Sequence, residues 1–577
     1  MKGERESKSR DHMNSMTRAC MLALTLLLCC AVTAPAEEKQ GTDAGLSQRE
    51  NLLMGERIYR EGILPSGEPL QAVVKGDIPV VGTAFSCVSC HLRSGLGSLE
   101  GGVITPPTTG KKLYQPLYVG TELTRSARKK VPTYFQSIAH RPAYTDETLA
   151  VALRMGVDPE GQELNSVMPR YFLDDRDAGI LISYLKSLSA EPSPGVTETI
   201  LHFATIVTEG VSAEDREAML APLQTYVSAR NYQSKTYQTR AKYGVFAEEM
   251  DLSYRMLSLS VWELKGPAAT WRGQLEEYYR KEPVFALLGG IAAGEWKPIH
   301  EFSEEHRIPC IFPITDFPVI SETDWYTLYF SKGIYQEGEA AAHHLGRMAE
   351  LSEEKTVLQI VQNSKAGQAL QAGFEATWRD LGRRQPLTIT LPEGETIAKD
   401  FLQSLMEMNK PAVILLWTDA SVMPALEKLT APATRPQRVY MSSSLLKQGL
   451  WTVPDKARDV VYIAYPYRLP QEEAIYTKYA SGLLRGKNNM PINDRRISTR
   501  MYSVSRLMTE TFLHIQRNYY RDYFLDVISM LRDQQYPDYV RLSFGPGQRY
   551  ASKGCYIVQL SQGPKPELVR RSDWVIY

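Results

Sequence analysis

Long apolar runs are scarce in this chain of 577 residues. One short run, Met21 to Cys30, sits near the N-terminus. No second run of membrane-spanning length follows, which argues against a membrane-embedded body. An excess of one charge is also missing: 66 Lys and Arg balance 66 Asp and Glu. A zero formal charge argues against nucleic acid as the main partner, since such proteins carry a basic excess. Low-complexity tracts are absent too, so the composition is that of an ordinary globular chain with room for two or three domains. The glycine-rich Gly289 to Gly294 lacks the Lys-Ser/Thr ending of a phosphate loop. No serine-histidine-acid or paired-carboxylate arrangement stands out, so no catalytic set is visible and an electron or solute carrier is favoured over an enzyme.

What is present begins with a leader. Lys2, Arg5, Lys8, Arg10 and Arg18 precede the apolar run, and Ala34-Pro35-Ala36 offers small residues after it. Basic, apolar and small regions in that order predict an export signal over residues 1–36 and a periplasmic mature chain with no transmembrane span. A lipid anchor through Cys29 or Cys30 is the lesser alternative, because Leu28 occupies the position where a small residue is expected. Cysteine is sparse, at seven in all. Three leave with the signal, Cys87 and Cys90 form a pair, and Cys310 and Cys555 remain. These last two could form one disulfide, although Cys310 in Ile308-Pro309-Cys310-Ile311-Phe312 also suits a plain core position.

Cys87-Val88-Ser89-Cys90-His91 carries the most specific chemistry. Two thiols three residues apart, with an imidazole after the second, form the attachment signal for a c-type haem. A zinc site needs further ligands, and no other Cys or His lies between Glu37 and Ala139. The iron's second axial ligand has three candidates. Met168 in Val167-Met168-Pro169-Arg170-Tyr171 is preferred, because the following proline biases it to an extended backbone. Met155 ends an apparent helix, where a core role is expected, and His140 would make a bis-histidine site. Helical periodicity over Gln48 to Ile63 places Gly55 on the face of Tyr59, and Asp175 to Leu188 offers a partner helix.

With its Gly-x-x-x-aromatic first helix, CxxCH, late Met-Pro-x-aromatic loop and final helix with Tyr184-Leu185, residues 48–190 resemble class I cytochromes c. The resemblance implies an all-α cytochrome c domain over residues 37–190. It would hold one covalent haem c on Cys87 and Cys90, with His91 and Met168 axial. One-electron exchange with a redox partner, a dehydrogenase or an oxidase, would follow.

Pro192, Pro194 and Gly195 mark a linker over 191–196. From residue 197 to 577, short apolar runs alternate with amphipathic helices, which predicts parallel sheets covered on both faces and two α/β lobes joined near Ser331. Val284-Phe285-Ala286-Leu287-Leu288-Gly289-Gly290, Ile308 to Pro313, Gln336 to Ala341 and Leu542 to Gly547 resemble the type I periplasmic binding proteins of the branched-chain amino-acid (leucine-binding) group. That resemblance implies a two-lobed fold closing on a small ligand. Candidate ligand groups are Ala292 and Ala293 by their amides, and Asp316, Tyr335, Gln336 and Asp419 near element ends. The loop Gly290 to Gly294 lacks the hydroxyl that amino-acid receptors of the group present, which counts against an ordinary amino acid as ligand. The resulting expectation is an exported monohaem electron carrier with a small-molecule-binding domain. The alternatives are a ligand-responsive redox sensor, a solute-binding receptor of an ABC-type system, and an enzyme.

Overall fold

The computed structural model describes residues 38–100, 103–118, 140–242, 255–348, 356–395, 397–429, 435–473, 475, 492–545 and 547–576. The expected export signal lies outside them. The chain divides into two compact units, Met1–Ala190 and Glu191–Tyr577.

The first unit carries helices α1 (Glu38–Glu61), α2 (Val88–His91), α3 (Gly110–Leu113), α4 (Asp146–Met155) and α5 (Asp175–Ser187). Helices α1 and α5 cross closely at Gly55. A Cβ there would stand 2.5 Å from the Tyr184 Cβ and 2.7 Å from the Ile180 carbonyl oxygen. Glycine removes that obstacle, and Tyr59, one turn on, packs its ring 5.5 Å from that of Tyr184. Its buried hydroxyl donates to the Leu92 carbonyl at 2.8 Å, tying the crossing to the segment after α2. Local signals set the other ends: Thr145 and Thr148 cap α4 reciprocally, Gly156 closes it in the left-handed region, and Asp174 caps α5.

The expectation of an all-α first unit is not met. Strands β1 (Gln71–Val74) and β2 (Ile78–Val81) form an antiparallel hairpin. Two short ladders follow, β3 (Ser98–Glu100) with β4 (Val103–Thr105) and β5 (Leu117–Tyr118) with β6 (His140–Arg141). A third strand, β7 (Arg170–Tyr171), pairs with β1. The cause is local. Val73, Val74, Ile78, Val80 and Val81 favour extended backbone, and Gly76 and Asp77 adopt φ of +80° and +55° in the turn between them.

The second unit is two-lobed. Its first lobe holds β8 (Ile200–Thr208), β9 (Met256–Leu264), β10 (Ala286–Leu288), β11 (Cys310–Ile311) and β12 (Thr327–Leu328), all parallel in the order β12-β11-β10-β8-β9. Helices α6 (Ala213–Lys242), α7 (Trp271–Lys281) and α8 (Lys297–Glu305) connect these strands. The chain then passes through Ser331–Gly333 into α9 (Ile334–Gly346) and the second lobe. There β13 (Val357–Gln362), β14 (Leu387–Leu391), β15 (Val413–Trp417), β16 (Arg438–Ser442) and β17 (Val461–Tyr465) pair in parallel, with α10 (Lys365–Asp380), α11 (Phe401–Asn409) and α12 (Met423–Lys428) between them. The sheet ends in antiparallel strands, β18 (Gly554–Leu560) against β17 and β19 (Leu568–Arg570) against β18. The sequence reading left these last strands unassigned.

Between β17 and β18 the chain returns to the first lobe. Helices α13 (Ile492–Ile515) and α14 (Arg521–Met530) bury Met501, Leu507 and Phe524 in one core with Phe203, Leu223 and Phe285. Arg521 is buried, and its guanidinium donates to the carbonyls of Phe285 and His306 at 3.1 Å each and to the Tyr279 hydroxyl at 3.1 Å. One side chain thereby satisfies carbonyls around β10 that would otherwise be desolvated without a partner. Cys310 and Cys555 are buried free thiols on the two different sheets.

Glu337, in the first turn of α9, is fully buried. Its Oε2 accepts from the Ser442 hydroxyl at 2.8 Å, the Ser443 hydroxyl at 3.3 Å and the Ser444 amide at 3.3 Å, while Oε1 has no partner. Burial pushes its carboxyl up from 4.5 to about 7, against those hydrogen bonds. A native pKa above the unfolded value means the folded state holds the proton more tightly. The resulting stabilisation is complete below the unfolded pKa and is lost as pH rises through the folded one.

Two predictions follow from packing and burial. Gly55→Ala should destabilise the first unit by about 1–3 kcal/mol in denaturant unfolding, the cost of overpacking; unaltered stability would contradict the close crossing. Thermal midpoints of the native chain should fall relative to Glu337→Gln as pH rises from about 5 to about 8, and parallel curves would show that Glu337 does not titrate in that window.

Candidate functional site

Cys87 stands just before the single turn of α2, and Cys90 and His91 lie on it. The amides of Cys90 and His91 both donate to the Cys87 carbonyl, at 3.3 Å and 2.9 Å. Cys87 is buried and Cys90 exposed, and neither is in a disulfide. Burial pushes the Cys87 thiol up to about 12, with the Tyr171 hydroxyl opposing the shift. The His91 ring is buried, and its Nδ1 lies 2.8 Å from the Pro106 carbonyl oxygen. A carbonyl can only accept, so Nδ1 carries the proton and Nε2 is left with a free lone pair. Burial also lowers the imidazole pKa, which keeps the ring neutral.

Met168 is partly buried and packs against the apolar cluster that contains Cys87, Tyr59 and Tyr171. Met155 is 64 % exposed rather than in the core, because α4 turns Leu149, Ala152 and Leu153 inward and leaves its last residue outside. His140 belongs to β6. Among the described residues no group of three or more His, Cys, Asp or Glu could hold a metal ion. The donors gathered here are of another kind: two thiols, one imidazole and one thioether.

A second site lies in the larger unit, where loops from both lobes meet. From the first lobe come Pro313, Thr315 and Asp316 after β11, Tyr329 and Phe330 after β12, and Arg500 of α13 with Tyr539. From the second come Ile334 at the start of α9, Ser444 after β16, and Pro466 and Tyr467 after β17. These are the carboxyl ends of parallel strands, where open α/β sheets bind ligands. The cleft holds about 430 Å³ of empty space including the solvent at its mouth.

Aromatic rings build one wall. Phe330 stacks on Phe312 at 4.1 Å and on Tyr539 at 5.4 Å, and Tyr467 lies 6.2 Å from Tyr539. Half-buried Arg500 donates from Nη2 to the Tyr467 hydroxyl at 3.0 Å, while its buried Nε has no partner. Behind it, burial pushes the Asp538 carboxyl up to about 6, opposed by the Thr499 hydroxyl that donates to it and by Arg500 and Arg496. The passage between lobes is sterically tight at Gly333. Its φ is +63°, and a Cβ would lie 2.3 Å from the Asp316 carbonyl oxygen, so only glycine fits without strain. An ion pair between Lys365 of α10 and Glu295 spans the two lobes.

Of the six residues expected to hold a ligand, Asp316 alone lines this cleft. The Ala293 amide is spent on the Thr208 hydroxyl at 2.7 Å, and Ala292 packs into the first lobe's core. Gln336 is buried and donates to the Gly554 carbonyl at 2.6 Å, which fixes α9 to β18. Tyr335 lies beside the lining residue Ile334, with the Lys332 ammonium 5.8 Å from its ring. Asp419 accepts from the Ser421 amide and from Gln362 at 3.2 Å, a capping role. His344 is half-buried with Nδ1 2.8 Å from the Tyr440 hydroxyl, and burial lowers it to about 4. Arg500, Tyr467 and Tyr539 were missed. They come from segments far along the chain, and no local motif marks them.

No protein-family model matches the chain, and a search of curated proteins found no match. Solved structures do resemble it. One is described as a branched-chain amino acid ABC transporter protein of Rhodospirillum rubrum, at a TM-score of 0.47 and 14 % identity, covering 66 % of this chain and 100 % of that one. A solute-binding protein of an R. palustris ABC transporter, in complex with benzoate, has a TM-score of 0.44 and 14 % identity, covering 66 % and 98 %. A branched-chain amino acid ABC transporter protein of Thermus thermophilus with bound valine has a TM-score of 0.42 and 15 % identity, covering 66 % and 97 %. The expectation of a monohaem one-electron carrier working with a redox partner is corrected by these findings, because the resembling structures belong to solute-binding ABC systems and favour the receptor alternative. The larger unit is a two-lobed α/β fold.

Proposed function

We propose that the chain is an exported solute-binding receptor whose two lobes close over a small molecule in the cleft between them. The observation that carries this reading is the convergence of strand-end loops from both sheets on one cleft with an aromatic wall and a buried, unpartnered Arg500 Nε. The interior of the cleft has room for about one water molecule. A solute therefore enters when the lobes part at Ser331–Gly333, and it favours the closed form by touching both. Among the described residues no helix is long and apolar enough to cross a membrane.

For the first unit we propose one covalently bound haem c, attached through Cys87 and Cys90 with His91 and Met168 as iron ligands. Support comes from the two thiols around one helical turn, neither in a disulfide, the Nδ1-protonated tautomer of His91, and the packing of Met168 on the cluster that holds Cys87. When bound, such a group supplies an iron centre. The chain's own part is to hold the imidazole in one tautomer through Pro106 and to surround the Cys87 thiol with a cluster holding Tyr59, Tyr171 and apolar side chains that exclude water from it.

Titration calorimetry of the full chain against aliphatic amino acids, aromatic carboxylates and neutral amides tests the receptor reading. Saturable binding of one solute per chain is expected, and no heat from any of them would contradict it. Intact mass of the chain matured in an exporting host tests the haem proposal. One haem mass per chain is expected, lost in the Cys87→Ser, Cys90→Ser double variant. An unaltered mass in the unsubstituted chain would overturn it.

A further inference from the structure

We infer that the cleft selects a solute with one carboxylate on a flat apolar body, and that Arg500 is the residue that recognises the carboxylate; this rests on the receptor reading above. Arg500 lies at the meeting of Phe330, Tyr467 and Tyr539, with its guanidinium carbon 5.9 Å, 5.7 Å and 6.0 Å from their ring centroids. Its Nη2 donates to a neutral hydroxyl, that of Tyr467. The Nε edge is desolvated and makes no bond. Leaving such a donor without an acceptor is costly, and a carboxylate is the acceptor whose two oxygens match the planar guanidinium fork.

The rest of the lining sets the shape of the solute. Pro313, Pro318 and Pro466 contribute no amide donors, so that wall cannot satisfy a polar body. Aromatic carbon of Phe330, Tyr467 and Tyr539 lines the cleft instead. Asp316, on the same lining, repels a second anionic group, which disfavours dicarboxylates. Asp538 and Asp316 favour the charge on Arg500 from nearby, but its hydrogen bond goes to Tyr467 and its Nε edge remains for an incoming acceptor.

The test is calorimetry of the full chain with benzoate and its neutral near-isostere benzamide, repeated with thermally checked Arg500→Gln and Arg500→Lys chains. Benzoate should bind at least about tenfold more tightly than benzamide. Arg500→Gln should erase that preference, and Arg500→Lys should restore part of it, because the charge returns without the fork. Equal affinities in the unsubstituted chain would overturn the inference, and so would a folded Arg500→Gln chain that keeps its benzoate affinity. If the glutamine chain does not fold, the benzoate–benzamide comparison decides alone. Binding of another solute with no binding of benzoate would sink this inference and leave the receptor reading standing. Silence from every solute would sink both.

Discussion

Parallel strand pairing is the constraint on which the larger unit depends. The five strands of the first lobe run the same way, as do β13 to β17 of the second, so their carboxyl ends collect along one edge and the loops leaving them share a region. The passage at Ser331–Gly333 and the later return through α13 bring the two edges to one cleft. Backbone pairing thus decides where a ligand can sit before any side chain decides what it is. Arg521 supports this arrangement from behind by satisfying carbonyls around β10, at the centre of the first sheet.

The cleft's chemistry follows from what surrounds Arg500. A guanidinium held among aromatic rings loses water and gains weak attraction from the ring faces. It keeps one edge unsatisfied, and that edge is what an incoming acceptor would relieve. Glu337 sits nearby in sequence to the passage between lobes, and its hydrogen bonds tie α9 to the turn after β16. The lobe that must move is therefore held as a rigid piece by buried polar contacts, while Gly333 supplies the backbone freedom between the pieces.

The sequence made some of this legible. Gly55 and Tyr59 announced a close helix crossing, and the structure shows one. The alternation of strands and helices announced two α/β lobes, with the junction near Ser331. The hairpin around Gly76 is hard to see in the sequence, because its strands are only four residues long and carry no clear polar–apolar alternation. Among candidate ligand groups, Asp316 reached the cleft, while the amide of Ala293 and the side chains of Gln336 and Asp419 were already spent on neighbours. Proximity to an element end says where a group is, not whether its hydrogen bonds are taken. Arg500, Tyr467 and Tyr539 show the other limit, since only the tertiary return of the chain brings them together.

Amide hydrogen exchange of the full chain, with and without a bound solute, tests the central claim most directly. The account predicts added protection in the loops after β11, β12, β16 and β17 and in the passage at Ser331–Gly333. Protection confined to other surfaces of the chain, with those loops unchanged, would contradict it.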